Sequence, residues 1–230
     1  MTERESILTR IREALRTPSA RPGHHGHEHS PAVEAPSAIT RDVGQWLPAV
    51  GPTAAERLAL FAKQSTELRT DFHLLESREA MVAKVRELAA AEEWKTFATH
   101  RGELTDAVAP ALERPFLRTD EPYRATELEQ AAAGITQCDA LIAQTGSVFI
   151  TSASAGGRAL SVLPPHHIVL ARREQLLPDL PSAFAFVKAK YASGFPSFLS
   201  VITGPSRTGD IERILVLGAH GPKKLTVLCY

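Results

Sequence analysis

Residues 164–171 read Pro164-Pro165-His166-His167-Ile168-Val169-Leu170-Ala171. The proline pair stops whatever element comes before it, and three apolar residues then follow without a polar break. A strand with one wet face alternates apolar and polar residues, whereas an unbroken run is the pattern of a strand buried on both faces. Such strands belong to parallel sheets covered by helices. Alternation along the strand aims one of His166 and His167 outward and the other into the core, and neither has a metal partner at evident spacing.

The flanking sequence repeats the same theme. A helical run from Thr53 to about Leu68 turns Leu58, Phe61 and Ala62 inward, and Phe72 to Leu75 reads as a strand. Ser77 can cap a helix bearing Met81, Val82, Val85, Leu88 and Ala89, and Thr96 to Thr99 reads as a further strand. Ala125 to Ala133 reads as a helix closing at Gly134. Two strand-like runs on either side of Thr145-Gly146-Ser147 come next, then a Gly-rich loop, Ser152 to Arg158. A helix from about Arg173 to Tyr191 carries Pro178 and Pro181 early, and Leu225 to Cys229 forms a last strand. The β–α order predicts an α/β fold: a layered sheet with flanking helices.

At 230 residues the chain is long enough for one α/β domain with a tail. Hydrophobic residues make up 43% and charged residues 23%, a globular composition rather than a disordered one. The 26 Lys and Arg balance the 26 Asp and Glu, so no overall field attracts nucleic acid or an anionic membrane. Cys138 and Cys229 have no C-x-x-C spacing, which provides neither a zinc ribbon nor an iron–sulfur cradle and fits a reducing cytoplasm. No apolar run reaches the roughly 18 residues of a membrane span.

Three segments follow. Residues 1–16 form an amphipathic helix, with Thr2 and Glu5 as a capping box and Ile7, Leu8, Ile11 and Leu15 on one side. Its stripe must dock on this domain or on a partner. Residues 17–40 form a flexible Pro-rich linker containing His24, His25, His27 and His29, imidazoles without the fixed geometry of a metal site. Residues 41–230 form the α/β domain.

Candidate ligand residues cluster in loops. In Thr203-Gly204-Pro205-Ser206-Arg207-Thr208-Gly209-Asp210 a strand-like run meets a Gly-Pro turn and then a helical pattern with Ile211, Ile214 and Leu215. This is either an anion-binding turn, with Ser206 or Thr208 as N-cap and Arg207 as clamp, or an ordinary capped helix start. Thr145, Gly146 and Ser147 supply hydroxyl and backbone donors, or simply a hairpin turn. Arg158 can clamp a carboxylate or pair with Asp139. His220, in a Gly-containing loop, can accept a proton from a 2-hydroxyl, its ordinary pKa being about 6.5, or fix the loop.

The strings ALIAQTGSVFITSASAGGRALSVLPPHHIVL (140–170) and TGPSRTGDIERILVLGAHGP (203–222) resemble the lactate utilization protein C family, or LUD domain, most densely over 133–230. The resemblance implies a fold similar to NagB, RpiA and CoA-transferase-like proteins. It also implies a role in L-lactate oxidation to pyruvate beside iron–sulfur partner subunits, with no cofactor held by this chain. A non-enzymatic assembly or regulatory subunit that senses lactate or pyruvate is the alternative, and a CoA-ester transferase-like protein a third. Family members often carry an acidic residue where this chain has Gln144, and an amide neither ionises nor attacks an acyl group.

Overall fold

The computed structural model describes residues 3–16, 46–208, 216–218 and 220–230. The linker histidines and the helix expected over Ile211, Ile214 and Leu215 lie outside these residues. The chain divides into two units, 1–42 and 43–230. In the first, Glu3–Arg16 forms α1, on which Ile7 and Leu8 are exposed.

The second unit begins with α2 (Ala54–Glu67), β1 (Asp71–Leu74), α3 (Arg78–Ala91), β2 (Phe97–Thr99), α4 (Glu103–Ala111), β3 (Phe116–Arg118) and α5 (Ala125–Glu129). It continues through β4 (Ala133–Gln137), β5 (Ala140–Ile142), β6 (Ser147–Thr151), β7 (His166–Ala171) and β8 (Leu176–Leu177). α6 (Leu180–Lys190), β9 (Leu199–Ile202), β10 (Arg207–Thr208), β11 (Val216–Leu217) and β12 (Lys224–Cys229) complete it. Six strands in the order β1-β12-β7-β4-β2-β3 make a wholly parallel sheet. β8-β5-β6-β9 make a smaller mixed sheet.

Every residue of β7 is buried, as its unbroken apolar run requires. Ile168 and Leu170 join Ile135 and Leu228 beneath Met81, Val85 and Trp94, so α3 and the turn after it cover one face. Val169 and Ala171 join Leu225 and Val227 on the opposite face, against Phe61 of α2 and Leu141, Val148 and Ile150 of the small sheet. This second face is thus covered by strands as well as a helix. α6 then packs Ala183 and Val187 over Ala140, Ile142 and Phe149 on the far side of the small sheet.

Local caps explain where the helices begin. Thr53 forms a full capping box with Glu56, and Ser77 accepts the Ala80 N–H. The expected helix from Arg173 is corrected: a 3₁₀ turn (Arg173–Gln175) and β8 intervene, and α6 starts only after Asp179, which accepts the Ser182 N–H. Pro181 then sits in the first turn, where its missing N–H costs nothing. The expected helix over 125–133 ends at Glu129, and Gly134 lies inside β4 instead of terminating a helix. The reason is close approach: a Cβ on Gly134 would stand 2.3 Å from the Leu160 carbonyl oxygen.

His166 and His167 take opposite faces, but both are buried, because neither face of β7 meets solvent. His166 donates through Nδ1 to Glu92 at 3.0 Å, and its Nε2 lies 2.8 Å from the Thr226 hydroxyl. Glu92 also accepts from Trp94 Nε1 at 2.9 Å and Lys224 Nζ at 2.8 Å. Burial pushes the Glu92 carboxyl up, yet these donors outweigh it and hold it at about 2. A depressed carboxylate contributes stability that is full above its ordinary value of 4.5 and is lost as pH falls toward 2. Glu92→Gln is therefore expected to cost about 1–3 kcal/mol at pH 7. In urea titrations at decreasing pH, the gap between variant and wild type should close toward pH 2.

Candidate functional site

In open parallel sheets the backbone diverges beyond the carboxyl ends of the strands and leaves a crevice there. Here that region holds a cleft of about 280 Å³. Gln137 and Cys138 at the end of β4, and Arg172 just after β7, form one side. Lys190 and Tyr191 at the end of α6 face them, with Ser154 between and Glu103 and Leu104 of α4 at the rim. Gln137 Oε1 accepts the Leu104 N–H at 2.8 Å, replacing the side-chain cap that Gly102 lacks.

Asp139, immediately behind the cleft, organises it. Its side chain has no solvent exposure, and Oδ1 accepts from Lys190 Nζ and from the Tyr191 hydroxyl, each at 2.7 Å. Burial pushes its carboxyl up, but its hydrogen bonds, that of Lys190 foremost, and the Lys190 charge hold it below the ordinary carboxylate range. Burial likewise opposes the Lys190 charge, and Asp139 more than restores it. The second oxygen, Oδ2, has no hydrogen-bond partner among the described residues. Lys190 is 42% exposed, so its ammonium touches both the carboxylate and the cleft.

The remaining polar groups are largely committed. Arg172 pairs with Glu103, and its Nε donates to the Tyr230 hydroxyl at 3.4 Å. His100, behind Gln137, donates through Nδ1 to the Arg101 carbonyl at 2.8 Å and accepts the Gln137 N–H at 3.4 Å. Burial lowers its pKa, which keeps it neutral. Among the described residues no group of three or more His, Cys, Asp or Glu could hold a metal. Both cysteines are buried, their thiols pushed up by burial, Cys229 to about 11. Two sequestered thiols do not suit a cluster that needs four cysteines. Among the described residues no helix is long and apolar enough to cross a membrane.

The residues singled out from sequence are dispersed around this cleft. Thr145, Gly146 and Ser147 make the β5–β6 turn, where Ser147 donates to the Thr145 hydroxyl at 2.8 Å and shares a hydrogen bond of 2.8 Å with Thr203. Gly146 (φ +60°) lies on α2, and a Cβ there would meet Gln64 at 2.7 Å. Gln144 donates its amide to the Pro48 carbonyl at 3.1 Å. The expected Arg158–Asp139 pair is corrected: Lys190 occupies the carboxylate, while Arg158 donates to the Ser197 carbonyl at 2.8 Å and sits over the Phe198 ring. Arg158 and the Thr145 turn thus contact residues that flank β9, Phe198 and Thr203, five residue steps or roughly 17 Å apart at the usual strand rise.

Arg207 and Thr208 form β10, paired with Leu217 and Val216. An N-cap residue is itself extended, and the helix that Ser206 or Thr208 was expected to cap lies outside the described residues. Ser206 and an exposed His220 border a separate cavity. Lys190 and Tyr191 were missed because nothing in a helix C-terminus marks a ligand site. Gln137 and Arg172 carried a readable signal, since each lies at or just after the end of an apolar strand.

A family model described as LUD domain matches residues 58–230. Lactate utilization protein C of Bacillus licheniformis is 39% identical over 98 residues, 42% of this chain and 41% of that protein. Lactate utilization protein C of Deinococcus radiodurans is 36% identical over 113 residues, 49% of this chain and 52% of that protein. The Escherichia coli protein YkgG, described as uncharacterized, is 35% identical over 105 residues, covering 45% and 46%. The matched segments therefore span about half of these relatives or less. A crystal structure of a DUF162 family protein from Deinococcus radiodurans aligns with TM-score 0.59 and 24% identity, over 78% of this chain and 99% of that one. That likeness concerns the fold.

The Asp139–Lys190 pair makes a stability prediction. Lys190→Met strands a buried carboxylate, which is expected to cost about 3–5 kcal/mol, reduced by whatever water reaches the opened site. Asp139→Asn is expected to cost about 1–3 kcal/mol. The double variant should lose less than the sum, measured as a coupling in urea denaturation. The Lys190→Met deficit should also shrink on acidification, because an unpaired Asp139 takes up a proton more readily.

Proposed function

The chain belongs to the LUD domain family, and from that premise we propose that it serves lactate utilization by binding a small organic acid, lactate or pyruvate, in the cleft beyond β4 and β7. The observation that carries this reading is the convergence of Lys190, Tyr191 and Arg172 on one polar cleft. An ammonium has three donors, and Asp139 takes one from Lys190, which leaves donors for a carboxylate. Arg172 adds guanidinium N–H groups beyond those given to Glu103 and Tyr230. The 2-oxygen of the acid then lies beside Tyr191 and Ser154. Neither the Thr145 turn nor Arg158 and Arg207 take part.

Oxidising lactate to pyruvate releases a pair of electrons and two protons. With no thiol set suited to a cluster, this chain positions the acid, and partner subunits carrying iron–sulfur clusters accept the electrons. A second reading has its own support: Glu103 is paired with Arg172 and Asp139 with Lys190, leaving neither carboxylate free as a base. That arrangement suits a subunit that senses or holds the acid without transforming it. Acyl-CoA transfer gains nothing from Gln144, whose amide is engaged with Pro48.

Thermal melts of the purified chain test the binding. Occupancy at tenfold excess over Kd stabilises the folded state by about 1.4 kcal/mol, enough to raise the melting temperature by several degrees or a little less. L-lactate or pyruvate is expected to give this rise, and Arg172→Gln to abolish it; an undiminished rise in the variant would contradict the site. With an artificial electron acceptor the isolated chain is expected to oxidise no lactate until the iron–sulfur partners are added. Turnover without them would overturn the division of labour.

A further inference from the structure

The cavity bordered by Ser206 and His220 differs in kind from the cleft. It measures about 160 Å³, and among the described residues its wall holds no Lys, Arg, Asp or Glu side chain. It opens near the amino-terminal ends of β7 and β12, at His167 and Leu225, and five residue steps separate His167 from Arg172, roughly 16 Å of strand. Phe198, Ile202, Val162 and Leu225 supply an apolar lining.

One buried group in that wall lacks a partner. His167 is 1% exposed, and its Nε2 lies 2.9 Å from the Thr136 hydroxyl, while Nδ1 has no hydrogen bond among the described residues. Burial holds the ring neutral, at about 3. A neutral imidazole presents one donor and one acceptor, and Thr136 serves only one of them. Folded proteins leave few buried polar atoms unsatisfied, so an orphan nitrogen beside a cavity points to an occupant.

We propose that this cavity is a second binding site, for a small uncharged ligand with an aromatic or compact apolar body and one hydroxyl group. A hydroxyl both donates and accepts, so it matches His167 Nδ1 in either tautomer. The volume suits one six-membered ring, since an engineered apolar cavity of about 150 Å³ accepts benzene. An anion is disfavoured, because among the described residues no Lys or Arg lines the wall and the buried His167 is neutral, while His220 sits at the exposed border. The ligand class therefore differs from that of the charged cleft, and the two sites fill independently.

The test is a long-range ¹H–¹⁵N spectrum of the histidine side chains of the full chain, titrated with phenol and, separately, with benzoate. Phenol is expected to shift the His167 Nδ1 resonance saturably at millimolar concentration or below, and benzoate at least about tenfold more weakly. Ser200→Phe fills the cavity and should abolish the phenol response; Val162→Trp, at the exposed rim, is the substitute if that variant does not fold. No His167 shift up to the solubility of phenol would overturn the proposal. So would an equal response to benzoate, or a response that survives cavity filling. Pyruvate added first should leave the phenol response unchanged, and this outcome holds even if the acid binds nowhere.

Discussion

A carboxylate with no access to water must be paired, and Asp139 imposes that requirement at the junction of the two sheets. It lies between β4, in the parallel sheet, and β5, in the small one. Its partners come from the far end of α6, so one ion pair holds the helix, the hairpin and the strand end in register. Without it, Lys190 and Tyr191 would have no reason to lie over the carboxyl ends of β4 and β7. The cleft is in this sense a by-product of satisfying a buried charge.

Much of the fold was legible in the sequence because its strongest signals are local. The unbroken run Ile168-Val169-Leu170 announced a strand buried on both faces, and Thr53 and Ser77 marked their helix starts. Errors arose where tertiary contacts override local pattern. Gly134 reads as a helix stop, yet it is a glycine because the Leu160 carbonyl crosses over it. Covering one face of the main sheet with a second sheet also left no trace, since short apolar strands look alike whether they add to one sheet or build another.

The candidate site was less legible for a related reason. Sequence reasoning favours glycines, hydroxyls and lone arginines in loops, and here those features make packing contacts: Gly146 lies against α2, Ser147 bonds to Thr203, and Arg158 donates to the Ser197 carbonyl. The cleft instead draws on residues distant in sequence, Gln137, Arg172 and Lys190, which only the topology assembles. Each is unremarked in its own segment. Their meaning depends on the parallel order β7-β4 and on where α6 ends.

The two cavities also divide the chemistry of the molecule. Charged groups gather at the carboxyl ends of the central strands, whereas the opposite end carries a hollow lined, among the described residues, by no Lys, Arg, Asp or Glu, beside the neutral imidazole of His167. The central claim, that the charged cleft receives a small organic acid, is tested most directly by a crystal structure of the chain grown with saturating pyruvate. The account predicts a carboxylate within hydrogen-bond distance of Lys190 Nζ, with Arg172 on its other side. An empty cleft under those conditions, or pyruvate bound only at the Arg158 or Arg207 loops, would contradict it.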